Sequence, residues 1–365
     1  MSITLLSTLA LLPVLPVSVG NIQLHALWDQ SSLVVLACVE KVEKIPHELP
    51  EWVSGESGAP RKAAPETSIA QLKILQTFRG PEDVRSILVP LDRSFICDVT
   101  DAQPGETAIF FLESSRVIAG EGTEFRARLD TVFGEHEFLK IGFWGRGRMA
   151  VYGQGESRCV ESWTDVLFPE GIREAPWDSR FVHGSSRSTT YDEFCRVLET
   201  YRRLEDDRFL SASSTPGTSG EWAWSLAVAN QGSARFVLIE PDKTVNEILR
   251  RGREREYILD VDAILLRALR DSIESERAWS LPTVLGTMRA SAHQRQMSFV
   301  RKTGQSGSET SVLLFAIDDG WMSEPSRSEP TLRALRVWSK IRGLIQDRAC
   351  ADSRQDDQVW LAMTR

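Results

Sequence analysis

Apolar and polar side chains alternate over short stretches in the first 155 residues, a pattern typical of half-buried β-strands. The clearest stretch is "TSIAQLKILQTFRGPED", residues 67–83, which Gly80 and Pro81 bring to an end. Its predicted core face consists of Ala70, Leu72, Ile74 and Phe78. Similar short runs are "LVVLACVEKVEK", "RSILVPLD", "ETAIFFLESS" and the Gly-punctuated "TVFGEHEFLKIGFWGRGRMAVYGQG". Together these runs predict a small closed or sandwiched β unit.

The pattern changes in the second half of the chain. Apolar residues at helical spacing predict an amphipathic helix over 191–207, and Thr190 with Glu193 forms a capping-box signature at its start. The stretch "SASSTPGTSGE", 211–221, has the composition of a linker and predicts a domain boundary. The last third then alternates two hairpins with two helices, which predicts an antiparallel sheet with both helices on one face. The first of these helices has a predicted apolar face of Val261, Ile264, Leu265, Ala268 and Leu269.

The N-terminal stretch resembles an export signal. The first 28 residues contain no Lys, Arg, Asp or Glu, and an apolar segment ends with Ser18 and Gly20 at the −3 and −1 positions of a cleavage site. Pro13 and Pro16 make this segment a poor membrane-spanning helix. The sequence therefore predicts a secreted or periplasmic protein without a stable membrane span. The absence of a basic n-region favours the alternative, in which the segment is an apolar first strand.

Charge and cysteine content narrow the function classes. The formal net charge of −8 argues against a nucleic-acid partner, which would require a basic surface. The five cysteines are too far apart for a CxxC-type zinc site. In an exported chain Cys38 and Cys97 are the first pair to test for a disulfide, while buried free thiols are an equally good interpretation.

Motifs for catalysis are missing from the sequence. There is no HExxH, no G-x-S-x-G elbow and no phosphate-binding G-x-x-x-x-G-K-[ST], so no catalytic residue, metal ion or cofactor is predicted. A hydrolase that draws its carboxylates and histidines from distant segments remains an alternative, because such residues leave no local motif.

Aromatic residues supply the candidate binding positions. Trp144 lies with Arg146 and Arg148 in "FWGRGRM", a Gly-rich hairpin tip of the kind that often binds partners. Trp222 and Trp224 share one strand face and could form an aromatic platform. The alternatives are an ordinary turn for the first set and hairpin packing for the second.

The order of features over residues 24–150 resembles the bacterial relatives of the netrin-like module, the OB-type β-barrel shared with tissue inhibitors of metalloproteinases. The lead-in with Asp29 precedes an apolar strand, a second strand ends in Phe78-Arg79-Gly80, and Gly105 precedes Phe111-Leu112. The resemblance implies a secreted binding module, with a protease as one candidate partner. The zinc-chelating N-terminal cysteine of those inhibitors has no counterpart, because no cysteine precedes Cys38 and cleavage after Gly20 would leave Asn21 first.

These observations predict an all-β, OB-like barrel domain followed by an α+β domain. The predicted divisions are a leader 1–20, a barrel domain 21–170, a connector 171–220, an α+β domain 221–348 and a tail 349–365. The predicted function is non-enzymatic binding of a protein or cell-envelope component by an exported protein. A cell-envelope hydrolase and a structural interaction protein are the two alternatives.

Overall fold

A computed structural model describes residues 22–46, 66–91, 102–114, 123–143, 145–163, 165–172, 186–215, 223–239, 254–286, 294–303, 306–315 and 328–352. The helices in these ranges are α1 (Leu24–Gln30), α2 (Thr123–Phe133), α3 (Tyr191–Asp207), α4 (Ala263–Ser275) and α5 (Glu329–Asp352). The strands before α3 are β1 (Ile22–Gln23), β2 (Leu33–Pro46), β3 (Glu66–Arg79), β4 (Ser86–Leu91), β5 (Thr107–Ser114), β6 (Glu137–Ile141), β7 (Arg148–Tyr152), β8 (Cys159–Trp163), β9 (Val166–Leu167) and β10 (Ser186–Thr190). The strands after α3 are β11 (Arg208–Thr215), β12 (Ala223–Ala229), β13 (Ser233–Ile239), β14 (Glu254–Asp260), β15 (Val284–Leu285), β16 (Gln294–Thr303) and β17 (Ser306–Phe315).

A closed five-stranded barrel forms the first part of the structure. Its strands follow one another around the barrel in the order β2-β3-β4-β6-β5 and back to β2. The pairing of β4 with β6 is parallel, and the other four pairings are antiparallel. Alternate residues of each strand point inward and fill the interior with apolar side chains, among them Val35, Leu72, Ile87, Phe110 and Leu139. The predicted closed β unit is therefore present.

A bulge in β3 changes which residues face this interior. Ile74 pairs with Ala37 and Gln76 pairs with Leu36, so Leu75 is an extra residue without a partner, and its side chain is 52% exposed. Because one extra residue reverses the alternation that follows it, Phe78 faces outward. It packs in the apolar cluster on the outer face of the barrel, not in the interior. The prediction that Phe78 shares a core face with Ala70 and Leu72 is wrong for this reason.

Two helices cover that outer face, and three further strands extend the sheet beneath them. The strands β7, β8 and β10 extend the barrel sheet from β5, and α1 and α3 pack across the outward side chains. The contributions from α1 are Leu24, Leu27 and Trp28, and those from α3 are Phe194, Val197, Leu198 and Tyr201. The predicted range and N-cap of α3 are confirmed, with the Thr190 hydroxyl accepting from the Glu193 amide.

The second sheet has the order β14-β13-β12-β11-β16-β17-β15 and is antiparallel except for the short β15–β17 pairing. Both α4 and α5 contribute to the apolar cluster on one face of this sheet. The predicted arrangement of an antiparallel sheet with two helices on one face is therefore present. The carboxylate of Asp262 caps α4 by accepting from the amides of Ile264 and Leu265 at 2.9 Å.

Two other predictions differ from the structure, and one helix was not predicted. The stretch predicted as a linker over 211–221 begins inside β11, a central strand whose Leu210 and Ala212 are core residues, while 216–221 lies outside the described residues. On α4 the buried stripe includes Leu266 and Leu269, and Ile264 is 84% exposed. Helix α2 was not predicted at all.

Gly80 supports a specific test of the junction between β3 and α1. Its φ is +99°, and a Cβ there would lie 2.8 Å from Leu33 Cδ1 and 3.0 Å from the Ser32 carbonyl oxygen. Gly105 has a similar φ of +86° but no atom within 4 Å of the corresponding position. We expect Gly80→Ala to lower the free energy of unfolding by about 3 kcal/mol and Gly105→Ala by about 1 kcal/mol, because only the first adds a clash to the backbone strain. Urea unfolding of both variants measures the difference, and equal losses would contradict the clash.

Candidate functional site

An open cleft of about 600 Å³ lies where β3 ends against α1 and α3. Its walls come from three stretches of the chain, namely the turn after α1, the end of β3 and the last turns of α3. The lining residues are Ser31, Ser32, Thr77, Phe78, Arg79, Gly80, Glu82, Arg202, Glu205 and Asp206. Most of them are polar or charged, so the cleft offers hydrogen-bonding groups to a polar ligand.

Arg79 holds the walls of the cleft together. Its guanidinium donates to the carbonyl oxygens of Trp28 and, at 2.6 Å, Ser31, both at the end of α1. It also forms an ion pair with Glu205 Oε1 of α3 at 2.5 Å. The planar guanidinium lies over the Trp28 ring, 5.5 Å from its centroid. One side chain of β3 therefore fixes both helices, using the forked donor geometry that only arginine has.

The charges in the cleft are of both signs. Three carboxylates, those of Glu82, Glu205 and Asp206, accompany the guanidinium groups of Arg79 and Arg202. Arg202 lies 3.5 Å from Glu199 on its own helix, and its side chain is 46% exposed. An exposed pair of this kind is weak. Arg202 is therefore accessible to an incoming carboxylate or carbonyl group.

The two arginines of the predicted hairpin-tip site are engaged within the protein. Arg148 is buried and forms an ion pair with Glu106. Arg146 forms a 2.5 Å ion pair with Asp165, with both side chains largely buried. Trp144 lies outside the described residues. The binding role of these three residues stays a prediction, and for the arginines the structure adds a second role in fixing the turn between β6 and β7.

The predicted aromatic platform is described only in part. Trp222 lies outside the described residues. The Trp224 ring packs 5.3 Å from the Trp338 ring and 6.2 Å from that of Phe236, measured between centroids. This geometry favours the packing alternative for Trp224, whose binding role stays a prediction. The structure does not bring Trp224 to the cleft.

Two cysteine positions bear on the predicted chemistry. Cys38 lies half-buried on β2, while Cys97 lies outside the described residues, so their disulfide stays a prediction. Cys195 lies one helical turn after Tyr191 on α3. Burial raises the pKa of the Cys195 thiol, and burial together with the Cys195 contact raises the pKa of Tyr191 to about 12. Both groups are therefore protonated and neutral at physiological pH.

Two further properties of the described ranges concern metal binding and membrane insertion. No group of three or more His, Cys, Asp or Glu side chains there could hold a metal ion. No helix in those ranges combines the length and the apolar character needed to cross a membrane.

Comparison with models of known protein families and with curated proteins finds no match to this chain.

The sequence-based reasoning did not predict the cleft. Its lining residues come from segments that are far apart in the chain, and none of those segments carries a motif for binding. The one available signal was Phe78-Arg79-Gly80, which was interpreted as the end of a strand. In the structure Arg79, next to the strand-terminating Gly80, binds the end of α1 and Glu205 of α3.

Arg79 also supports a test of how the cleft is maintained. Arg79→Met keeps the apolar stem but removes the guanidinium from the Ser31 carbonyl and from the Trp28 carbonyl, which keeps only the Ser31 amide at 3.1 Å. We therefore expect a loss of about 3 kcal/mol in the free energy of unfolding. Glu205→Gln removes only a partly exposed ion pair, and we expect a loss below about 1 kcal/mol. Denaturant unfolding of both variants measures these values. Equal losses would show that the ion pair, not the backbone contacts, maintains the cleft.

Proposed function

We propose that this chain is an exported, non-enzymatic binding protein that engages a protein or cell-envelope component through the outer surface of its barrel. The observation that carries the proposal is the closed barrel whose apolar side chains fill the interior. A filled barrel leaves no room for a ligand inside, so recognition falls to its outer surface and loops. The cleft beside α1 and α3 is the concave part of that surface.

The strand order supports an OB-type barrel. The five barrel strands in chain order are β2, β3, β4, β5 and β6, and around the barrel the last two exchange places. This order matches the five-stranded Greek-key arrangement that is typical of OB-folds, which supports the proposed OB-type barrel. It also fits the resemblance to netrin-like modules. In this chain Phe78-Arg79-Gly80, one of the features behind that resemblance, stands at the end of the second barrel strand.

The usual binding face of such barrels is covered in this chain. OB-type barrels bind ligands on the face of their second and third strands, which are β3 and β4 here. The outward side chains Ile69 and Leu88 of these strands pack against Leu129 and Phe133 of α2. We therefore place the partner at the cleft, where Arg202 and Glu82 are exposed.

Export is tested at the N-terminus of the mature protein. We expect mass spectrometry of the protein, purified from the cell envelope or medium of its native host, to give Asn21 as the first residue. The described structure begins one residue later at Ile22, whose amide donates to the Asp165 carbonyl at 2.7 Å. Removal of 1–20 would thus leave β1 in place. An intact Met1 in the cytosolic fraction would contradict export.

The binding site is tested by photo-crosslinking from the cleft. A photoreactive residue at position 82 is expected to give a discrete adduct when the chain is expressed in its native host. Arg202→Glu in the same chain reverses one charge of the cleft, and we expect it to weaken binding about tenfold, which corresponds to about 1.4 kcal/mol. The yield of the adduct, divided by the expression level of each variant, compares the binding of Arg202→Glu with that of the unsubstituted chain.

Arg267→Glu is the matched control for that experiment. Arg267 is an exposed arginine on α4, a helix that packs against the second sheet and does not line the cleft. Its substitution by Glu makes the same charge change as Arg202→Glu. We expect the adduct to be unchanged in this variant. An equal loss in both variants would indicate a general charge effect, and the absence of any adduct from position 82 would contradict the cleft as the binding site.

A further inference from the structure

A buried carboxylate lies between the barrel part and the second sheet. Glu256 is on β14, and its side chain is fully buried. Its Oε2 accepts a 2.8 Å hydrogen bond from the Tyr201 hydroxyl of α3 and lies 3.3 Å from His25 Nδ1 of α1. Neither its Oε1 nor the His25 Nδ1 has a hydrogen-bond partner among the described residues, so His25 and Glu256 are in close contact without a hydrogen bond. One buried carboxylate of the second sheet thus contacts both helices that cover the barrel.

The surrounding contacts show that Glu256 is at the centre of an interface. The Gln23 side-chain amide donates to the Glu254 carbonyl at 2.8 Å, and the Glu170 amide donates to the Glu256 carbonyl at 2.6 Å. Ile258, two residues along β14, packs in the same apolar cluster as α1 and α3. The strand β14 is therefore attached to the barrel part by backbone, apolar and charged contacts together.

The charged groups that face Glu256 come from each neighbouring element. From α1 these are His25 and Asp29, and from β13 the guanidinium of Arg235, which is 3.9 Å from Asp29. From α3 it is the Tyr201 hydroxyl, while Arg196 of that helix reaches Asp260 at 3.8 Å. Arg235 and Asp29 also act electrostatically on the Tyr201 hydroxyl, with opposite signs.

The charge on the His25 imidazole affects how strongly α1 is attracted to Glu256. A buried carboxylate is costly unless a partner compensates its charge and its hydrogen bonds. Burial, and then the negative charge of Glu256, raise the pKa of Tyr201 well above its usual value, so this hydroxyl stays a neutral donor. Histidine is the side-chain type whose charge ordinarily changes between pH 5 and 8. When His25 carries a proton, an imidazolium faces the carboxylate, and when it loses the proton the attraction is lost.

We propose that His25 and Glu256 form a proton-controlled latch between the helices of the barrel part and the second sheet. The latch is strongest when the His25 imidazole carries a proton and faces the Glu256 carboxylate across 3.3 Å. It weakens as the pH rises and the imidazole loses its charge. The proposal does not depend on the proposed binding function, because its tests use the chain alone.

Amide hydrogen exchange measures the latch directly. The peptides to follow are 22–30 and 254–260, in the wild-type chain and in His25→Gln, at pH 5.5 and pH 8.0. Comparing the two proteins at the same pH removes the intrinsic pH dependence of exchange. We expect the excess protection of the wild-type chain over His25→Gln to be about tenfold larger at pH 5.5 than at pH 8.0. An excess that is the same at both pH values would overturn the proposal.

Two further variants assign the effect to the pair. Glu256→Gln can keep the hydrogen bond from Tyr201 but removes the charge, so we expect it to lose the same pH-dependent protection as His25→Gln. His136→Gln removes a histidine that contacts Gln71 on the barrel, away from the interface, and is expected to behave like the wild type. A pH dependence that survives in Glu256→Gln would mean that His25 acts through another group, which the proposal excludes.

A titration of the wild-type chain tests the latch without any substitution. The NMR signals of the His25 imidazole and of the Ile258 methyl groups report the proton and the packing of β14 separately. We expect both signals to change with one common midpoint. Distinct midpoints, or an Ile258 signal that does not respond to pH, would overturn the proposal even if the substituted chains fail to fold.

Discussion

The burial of α3 against the outer face of the barrel is the contact on which the rest of the structure depends. Phe194, Val197, Leu198 and Tyr201 fill the apolar cluster on that face, and Phe168 adds an edge-on ring contact to Phe194 at 5.6 Å. The same helix reaches the second sheet, since Arg203 donates to the Ser233 hydroxyl at 3.3 Å. It follows β10 and precedes β11 without an intervening loop. The chain therefore passes from one sheet to the other through a packed helix, not through a flexible connector.

The sequence predicted the elements whose pattern is local. The sequence predicts helix α3 because its apolar spacing and its Thr190 cap lie within one segment. It predicts hairpins in the last third because their strands are close in the chain, and the β12–β13 turn in the structure contains Gly232 with a φ of +83°. What the sequence could not show is register. The bulge at Leu75 reverses the facing of Phe78, and it depends on pairing with β2, a strand about forty residues away. Tertiary contacts decide such details, so alternation along one strand cannot predict them.

The prediction of a linker is wrong over 211–215 for a related reason. Serine, threonine and glycine are typical of linkers, but small polar side chains also suit one face of a sheet when the other face is apolar. In β11 the core residues Leu210 and Ala212 alternate with Ser211 and Ser213. Composition alone hid this alternation, and the strand became evident only through its pairing with β12 and β16. The candidate cleft escaped prediction likewise, because it is defined by contacts between distant segments.

Helix α1 connects the two features that carry the functional argument. With seven residues it is too short to be stable alone, so its position depends on the groups that hold it. Arg79 binds the carbonyls at its C-terminal end, where the cleft lies. In its first turn His25 faces Glu256, and just before it the Gln23 side chain binds the Glu254 carbonyl. One wall of the cleft and one half of the buried His25–Glu256 contact thus belong to a single short segment, which contacts an arginine on the barrel side and a carboxylate on the second sheet. The cleft geometry is for this reason a property of the whole packed assembly, not of the isolated barrel.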